Sequence, residues 1–139
     1  MSSNFYRYFK ENMDELGLPA PESLYGNLQL ALTNASALVK YAEQFGPRVT
    51  VYEMAKLGSK FEYLLTIGAC SASFYVGAVI GSIAVATGRC LSGGTSISDV
   101  ISSAKMHNIN TPWLHTVLAT YPGIYDPTAP NRSMYRFIA

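Results

Sequence analysis

Apolar residues recur every three or four positions in the N-terminal third of the chain, which is the spacing of one face of an α-helix. A first helix is predicted from about Asn4 to Leu16, with an apolar stripe formed by Phe5, Phe9, Met13 and Leu16. Gly17 and the prolines that follow it end this helix. A second helix is predicted over residues 22–45, with a stripe formed by Leu24, Leu28, Leu32, Ala35, Val39 and Ala42.

Residues 48–62 mix apolar with charged side chains and are harder to assign. Their β-branched start is compatible with a strand. The run Glu-Met-Ala-Lys-Leu, however, consists of good helix formers and favours a helix. We therefore predict a third helix here that continues through Gly58.

The C-terminal third carries weaker signals than the rest of the chain. Its composition predicts a loop over residues 91–96 and a short helix from Ser98 to about Met106. Thr111-Pro112 is typical of the cap and first position of another helix, reaching roughly Thr120. The proline-containing tail, residues 122–139, is predicted to be irregular.

The longest uniform feature is the stretch from Tyr63 to Gly88, which has no charged residue over 26 positions. At about 1.5 Å per residue a helix of this length spans roughly 39 Å, against about 30 Å for the hydrocarbon core of a membrane. Its threonines, serines and glycines oppose insertion, so spontaneous insertion is marginal. Residues 63–88 are nevertheless a candidate membrane-inserting segment.

Small residues within this stretch share one narrow face of the predicted helix. The helix-packing stripe consists of Ser73, Gly77, Gly81, Ala84 and Gly88, at spacings of four, four, three and four. In lipid, helices associate by close approach of their backbones, and a stripe of this kind permits it. A different face carries hydroxyl groups, and its candidate pore-lining residues are Ser71, Tyr75 and Ser82.

These patterns predict one all-α domain over residues 1–139. About five or six helices surround one long apolar central helix rich in glycine, serine and alanine. Two functions are compatible with such a helix. It inserts into a membrane and associates with further copies, or it is the buried core helix of a soluble helical protein that binds a partner.

Charge and reactive side chains add little chemistry. A formal net charge of +1 gives no reason to expect nucleic-acid binding. His107 and His115 lack the spacing of a metal site, and nothing fixes the geometry of a nucleophilic set of Cys90, His107 and Asp126. Cys70 lies among small and apolar residues, as a buried inert thiol does. We therefore expect no enzymatic activity, no catalytic residue, no metal and no cofactor.

The chain resembles the small glycine-zipper antibacterial effectors of the type VI secretion system. It shares with them a glycine stripe, a small size and an N-terminus without the apolar core of a secretory signal. Gly77, Gly81 and Gly88 carry this resemblance, with Ser73 and Ala84 as small substitutes. It implies a pore-forming toxin that conducts ions across a competitor's inner membrane as a homo-oligomer in membrane lipid. It also implies synthesis in the cytoplasm, export by a non-classical route inside an Hcp-type carrier, and a cognate immunity protein.

Overall fold

A computed structural model describes residues 2–46, 48–67, 70–91 and 96–139, and leaves out the side chains of residues 2, 3, 57 and 89–91. The predicted all-α class is confirmed for this part of the chain, which contains no β-strand. Its one isolated β-bridge is antiparallel and joins Thr50 to Ser71. The predicted loop over residues 91–96 falls mostly on positions 92–95, which lie outside the described residues.

Eight segments of the described chain are α-helical, and four short segments are 3₁₀-helical. The α-helices are α1 (Ser2–Glu15), α2 (Glu22–Tyr25), α3 (Leu28–Phe45), α4 (Val51–Met54), α5 (Ala72–Leu91), α6 (Ile97–Met106), α7 (Leu114–Thr120) and α8 (Tyr135–Ile138). The 3₁₀ helices are Ala55–Leu57, Ser59–Thr66, Pro122–Ile124 and Arg132–Met134.

Helix α1 buries the stripe that its spacing predicts. Phe5, Phe9, Met13 and Leu16 are all buried, and the helix packs along α5. The Leu18 amide donates to the Met13 carbonyl oxygen at 2.9 Å, and the Gly17 amide donates to that of Asp14. Gly17 has a φ of 74°, in the left-handed region that glycine adopts easily, so α1 ends here.

The second predicted helix, residues 22–45, is divided into α2 and α3. Asn27 has an extended backbone, and its side-chain oxygen accepts a hydrogen bond from the Leu30 amide at 2.9 Å. Asparagine at such a position caps a new helix rather than continuing the old one. The apolar spacing runs across this break, which is why periodicity alone did not reveal it.

The third predicted helix is wrong beyond its first turn. Helix α4 has four residues and is followed by two 3₁₀ helices, with extended backbone at Gly58 between them. The predicted continuation through Gly58 fails because glycine favours a break over a helix interior.

The uncharged stretch from 63 to 88 is not one continuous helix. Residues 63–66 belong to a 3₁₀ helix, whereas α5 begins only at Ala72 and extends beyond Gly88 to Leu91. The Ala72 amide donates to the Val49 carbonyl oxygen at 2.6 Å, and the Val51 amide donates to that of Cys70 at 3.0 Å. Residues 70–72 are therefore paired with residues 49–51, and the helix does not extend back through them.

Helix boundaries in the C-terminal third also differ from the prediction. Ser96 caps helix α6: its hydroxyl accepts from the Asp99 amide, and the Asp99 carboxylate accepts from the Ser96 amide. The helix therefore begins at Ile97, one residue earlier than the predicted Ser98. Helix α7 begins at Leu114 rather than at Pro112. The tail predicted to be irregular contains two 3₁₀ helices and α8.

Helix α5 contacts elements from both ends of the chain. It packs against α1, α3, α4, α6, α7 and the 3₁₀ helix Pro122–Ile124. As a result, every residue from Phe74 to Ala86 is buried. A run of 13 buried residues, which covers more than three helical turns, means that no face of this part of α5 meets solvent.

Replacing Ile83 of α5 with alanine tests this burial. Ile83 is fully buried, so Ile83→Ala leaves a cavity and should lower the free energy of unfolding by about 2–5 kcal/mol. Leu65→Ala is the control, because Leu65 is 49% exposed and its truncation should change stability by no more than about 0.5 kcal/mol. Urea denaturation measures both values, and equal losses would contradict the described packing.

Candidate functional site

The helix-packing stripe predicted on α5 faces the chain's own C-terminal part. An ideal Cβ atom on Gly77 would lie 2.7 Å from Cγ1 of Val117 in α7. A Cβ atom on Gly81 would overlap Cγ2 of Ile124 in the 3₁₀ helix Pro122–Ile124. Both glycines are required for this close approach, which takes place within one chain.

The other stripe residues have less uniform surroundings. Ala84 is buried, whereas Ser73 and Gly88 are half-buried. Ser73 lines a cavity of about 400 Å³ near the start of α5, together with Ser71, Arg48, Trp113 and Tyr121. The structure therefore brings Gly77 and Gly81 against one covering segment, and it places Ser73 at the edge of that cover, beside an open cavity.

The three candidate pore-lining residues do not share one surface in this structure. Ser71 precedes α5, and its hydroxyl oxygen accepts from the Phe74 amide at 3.4 Å. Ser82 is fully buried, and its hydroxyl oxygen accepts from Nδ2 of Asn12 at 2.9 Å. Tyr75 lies against tyrosines of two other elements. Each hydroxyl thus has its own partner within the fold.

Tyr75 belongs to a triangle of phenol groups that we call the tyrosine triad, Tyr25, Tyr63 and Tyr75. Tyr25 and Tyr75 are fully buried, and Tyr63 is half-buried. The hydroxyl oxygens are 2.7 Å apart for Tyr63 and Tyr75, 2.9 Å for Tyr25 and Tyr63, and 3.1 Å for Tyr25 and Tyr75. Burial disfavours the charged phenolate, so the pKa values of all three are raised, those of Tyr25 and Tyr75 well above the ordinary value. The triad joins α2, the 3₁₀ helix Ser59–Thr66 and α5.

A second buried polar network, the Arg132 network, connects α1 with the tail. Arg132 is 7% exposed; its Nε donates to the Gly123 carbonyl oxygen at 2.8 Å and its Nη2 donates to Oδ1 of Asn12 at 2.6 Å. Its Nη1 forms an ion pair with the Glu15 carboxylate, whose side chain is 52% exposed. Asn12 completes the network because its Nδ2 also donates to the Ile124 carbonyl oxygen at 2.8 Å.

Sequence reasoning missed both networks. A signal was present for Asn12, which lies three residues after Phe9 and four before Leu16 and is therefore a polar residue on the apolar face of α1. A polar side chain there needs a buried partner. No comparable signal identified Arg132 or the tyrosine triad, whose members are separated by up to 50 residues.

Reactive side chains are dispersed in the described part of the chain. Burial raises the pKa of the Cys70 thiol to about 11, which keeps it protonated and unreactive near neutral pH. Two hydrogen bonds from Thr128 lower the pKa of the Asp126 carboxyl. His107 is half-buried, His115 is exposed, and the side chain of Cys90 lies outside the described residues. These described positions include no group of three His, Cys, Asp or Glu side chains that could hold a metal ion.

Comparisons with protein-family models, with curated proteins and with solved structures found no match to this chain. Among the helices formed by the described residues, none combines the length and the apolar character needed to cross a membrane.

A methyl group added at Gly81 tests the close contact with Ile124. Alanine is better than glycine in a free helix by about 1 kcal/mol, whereas overpacking a core costs about 1–3 kcal/mol. We expect Gly81→Ala to destabilise the protein, and Ile124→Ala to reduce the penalty because it removes the clashing methyl group. A double-mutant cycle by thermal or urea denaturation measures this coupling. The control is Gly58→Ala, since a Cβ atom at Gly58 would meet no atom within 4 Å. If the effects of Gly81→Ala and Ile124→Ala on stability are additive, the contact between these two residues is contradicted.

The tyrosine triad predicts a loss of stability at alkaline pH. Because the folded pKa values of its members exceed the unfolded value of 10.0, folding is favoured by these groups below pH 10 and weakened as pH rises above it. Unfolding of the parent should therefore become easier above pH 10, and the Tyr75→Phe variant should show a shallower dependence. Urea midpoints measured from neutral to alkaline pH give both slopes, and identical slopes would exclude Tyr75 as a contributor.

Proposed function

We propose that this protein is a membrane-permeabilising antibacterial toxin whose pore-forming helix, α5, is stored as the central helix of a helical domain. The observation that supports this proposal best is the environment of residues 74–86. They carry no charge, and the surrounding elements bury all of them. A helix that is apolar all round belongs to a protein core or to a membrane.

The size of the protein makes such a helix unusual. A chain of 139 residues has a large surface relative to its volume, so most of its helices keep one face in water. Helices α1 and α3 follow that pattern, since both carry exposed charged side chains opposite their buried stripes. A charge-free run such as residues 74–86 of α5, enclosed by amphipathic helices, is the arrangement expected of a segment stored for later insertion.

Insertion of α5 requires a compensating interaction. The six strongly apolar residues of its charge-free part, residues 72–88, contribute only about −2 to −4 kcal/mol on insertion scales: Phe74, Val76, Val79, Ile80, Ile83 and Val85. Its glycines, serines and threonine oppose that sum. Association of several α5 helices through Gly77 and Gly81 supplies the missing stabilisation, because the glycine face that now contacts Val117 and Ile124 would contact another copy.

The remaining parts of the proposal follow from the resemblance to type VI effectors. The active form is a homo-oligomer in the inner membrane of the target cell, and it conducts ions without catalysing a reaction. Ser71, Tyr75 and Ser82 exchange their present partners for the pore interior. The producing cell exports the toxin in an Hcp-type carrier by a non-classical route and protects itself with an immunity protein.

A second candidate function is a helical binding protein in which α5 remains the core. The contacts of α5 within the fold favour this function, because Val117 and Ile124 already pack against its glycine face and Ser82 already has a buried hydrogen-bond partner. Its partner would contact apolar side chains exposed elsewhere, such as Met106, Phe137 and Ile138.

Ion flux across sealed liposomes separates the two functions. The parent protein should release an ion gradient, and Gly81→Ile should abolish that flux because a bulky side chain keeps α5 helices apart. Ala86→Ile is the matched control; Ala86 is also buried, so isoleucine overpacks the fold at both positions, but only Gly81 belongs to the stripe. Ala86→Ile should therefore retain most of the flux.

Two results would contradict the toxin. Absence of flux with the parent protein, at lipid compositions that bind it, would favour the binding protein. Equal flux from Gly81→Ile and the parent would show that the glycine face is not the working part of a pore.

A further inference from the structure

The 3₁₀ helix Pro122–Ile124 covers Gly81, and polar contacts from two directions hold it there. Arg132 donates to the Gly123 carbonyl oxygen from the tail, and Asn12 donates to the Ile124 carbonyl oxygen from α1. The Gly123 amide donates to the hydroxyl of Tyr135 at 3.1 Å. A Cβ atom on Gly123 would lie 2.8 Å from Cγ of Arg132, so a glycine is needed for the arginine to close against this turn.

Apolar burial holds the tail at its start, where Ile124 is fully buried against Gly81, but contributes little beyond that residue. Helix α8 has no buried residue, and Met134, Phe137 and Ile138 are at least half exposed. Beyond Ile124 the tail is attached through Arg132, through the ring of Tyr135, which packs edge-on against Phe74 and Tyr121, and through a backbone hydrogen bond from Ser71 to Ala139. A segment held by a few directed contacts opens more easily than one held by a large apolar interface.

The ion pair of Arg132 reaches the surface at one end. The guanidinium group is buried, but the Glu15 side chain is half exposed, so water has access to the carboxylate. Loss of Arg132 removes the hydrogen bonds that it donates to Gly123 and Asn12, and loss of Glu15 removes the ion pair alone. The apolar stripe of α1 stays in contact with α5 in both cases.

We propose that the Arg132 network is a latch that closes the segment 121–138 over Gly81 on the glycine face of α5, and that opening it exposes this part of the face without unfolding α1, α3 and α5. The latch is a property of the fold. Its consequence for pore formation rests on the proposed function, because the exposed face is the one that would contact other copies of α5.

Hydrogen exchange of the full-length protein tests the latch. Arg132→Met should raise exchange by roughly tenfold or more in residues 121–138, with α1 and α3 still protected. Lys10→Met is the matched control, because it breaks the exposed Lys10–Asp14 ion pair on the same helix and should leave exchange unchanged. Unchanged exchange in Arg132→Met, or a uniform rise over all helices, would overturn the proposal.

A second variant decides the matter if Arg132→Met does not fold. Glu15→Gln removes only the solvent-accessible charge and should raise exchange in the same segment by a smaller factor, with protection of α3 retained. No rise in this segment would overturn the latch.

Liposome flux measured on the same variants separates the latch from the toxin. A faster ion flux in the variants with the opened segment supports both proposals. Local opening without any flux from parent or variants leaves the latch standing and removes the membrane function. Flux from the parent with no local opening in the variants overturns the latch alone.

Discussion

The close contact between α5 and the segment 117–124 is the constraint on which the rest of the structure depends. Gly77 and Gly81 present bare backbone, so Val117 and Ile124 approach α5 more closely than any larger residue would allow. A helix with such a face has no side chains of its own to cover that face, and it relies on its neighbour to keep water out. The remaining faces of α5 are closed by α1, α3 and α6, which leaves residues 74–86 without solvent contact.

Buried hydroxyl groups determine how the surrounding elements are oriented. Ser82 and Tyr75 lie inside the core, where an unpaired polar group costs about 1–3 kcal/mol. Asn12 satisfies the first from α1, and Tyr25 and Tyr63 satisfy the second from α2 and the 3₁₀ helix Ser59–Thr66. These directed contacts distinguish one arrangement of helices from others that would bury similar apolar area.

The two candidate functions differ in whether this arrangement is final. A core helix and a stored membrane helix require the same apolar character in the folded protein, since both must be excluded from water. The two functions differ in how readily the segment that covers the glycine face, which we call the cover, dissociates from α5. The cover is held by a guanidinium group, an asparagine and a tyrosine, while the end of the tail is largely exposed. Apart from the buried side chain of Ile124, its attachment therefore depends on a few directed contacts.

The helical class, the buried stripe of α1 and the existence of a charge-free, glycine-containing segment were readable from the sequence, because each depends on residues within a few helical turns. The sequence also contained the cap at Asn27 and the break at Gly58, but continuous apolar spacing concealed both. Only the tertiary structure decided that α5 begins at Ala72, that Ile124 fills the space beside Gly81, and that Arg132 reaches Asn12 across 120 residues. Pairings of this kind depend on how all the helices pack, because a lone arginine or tyrosine has many equivalent partners until the fold brings one within hydrogen-bonding distance.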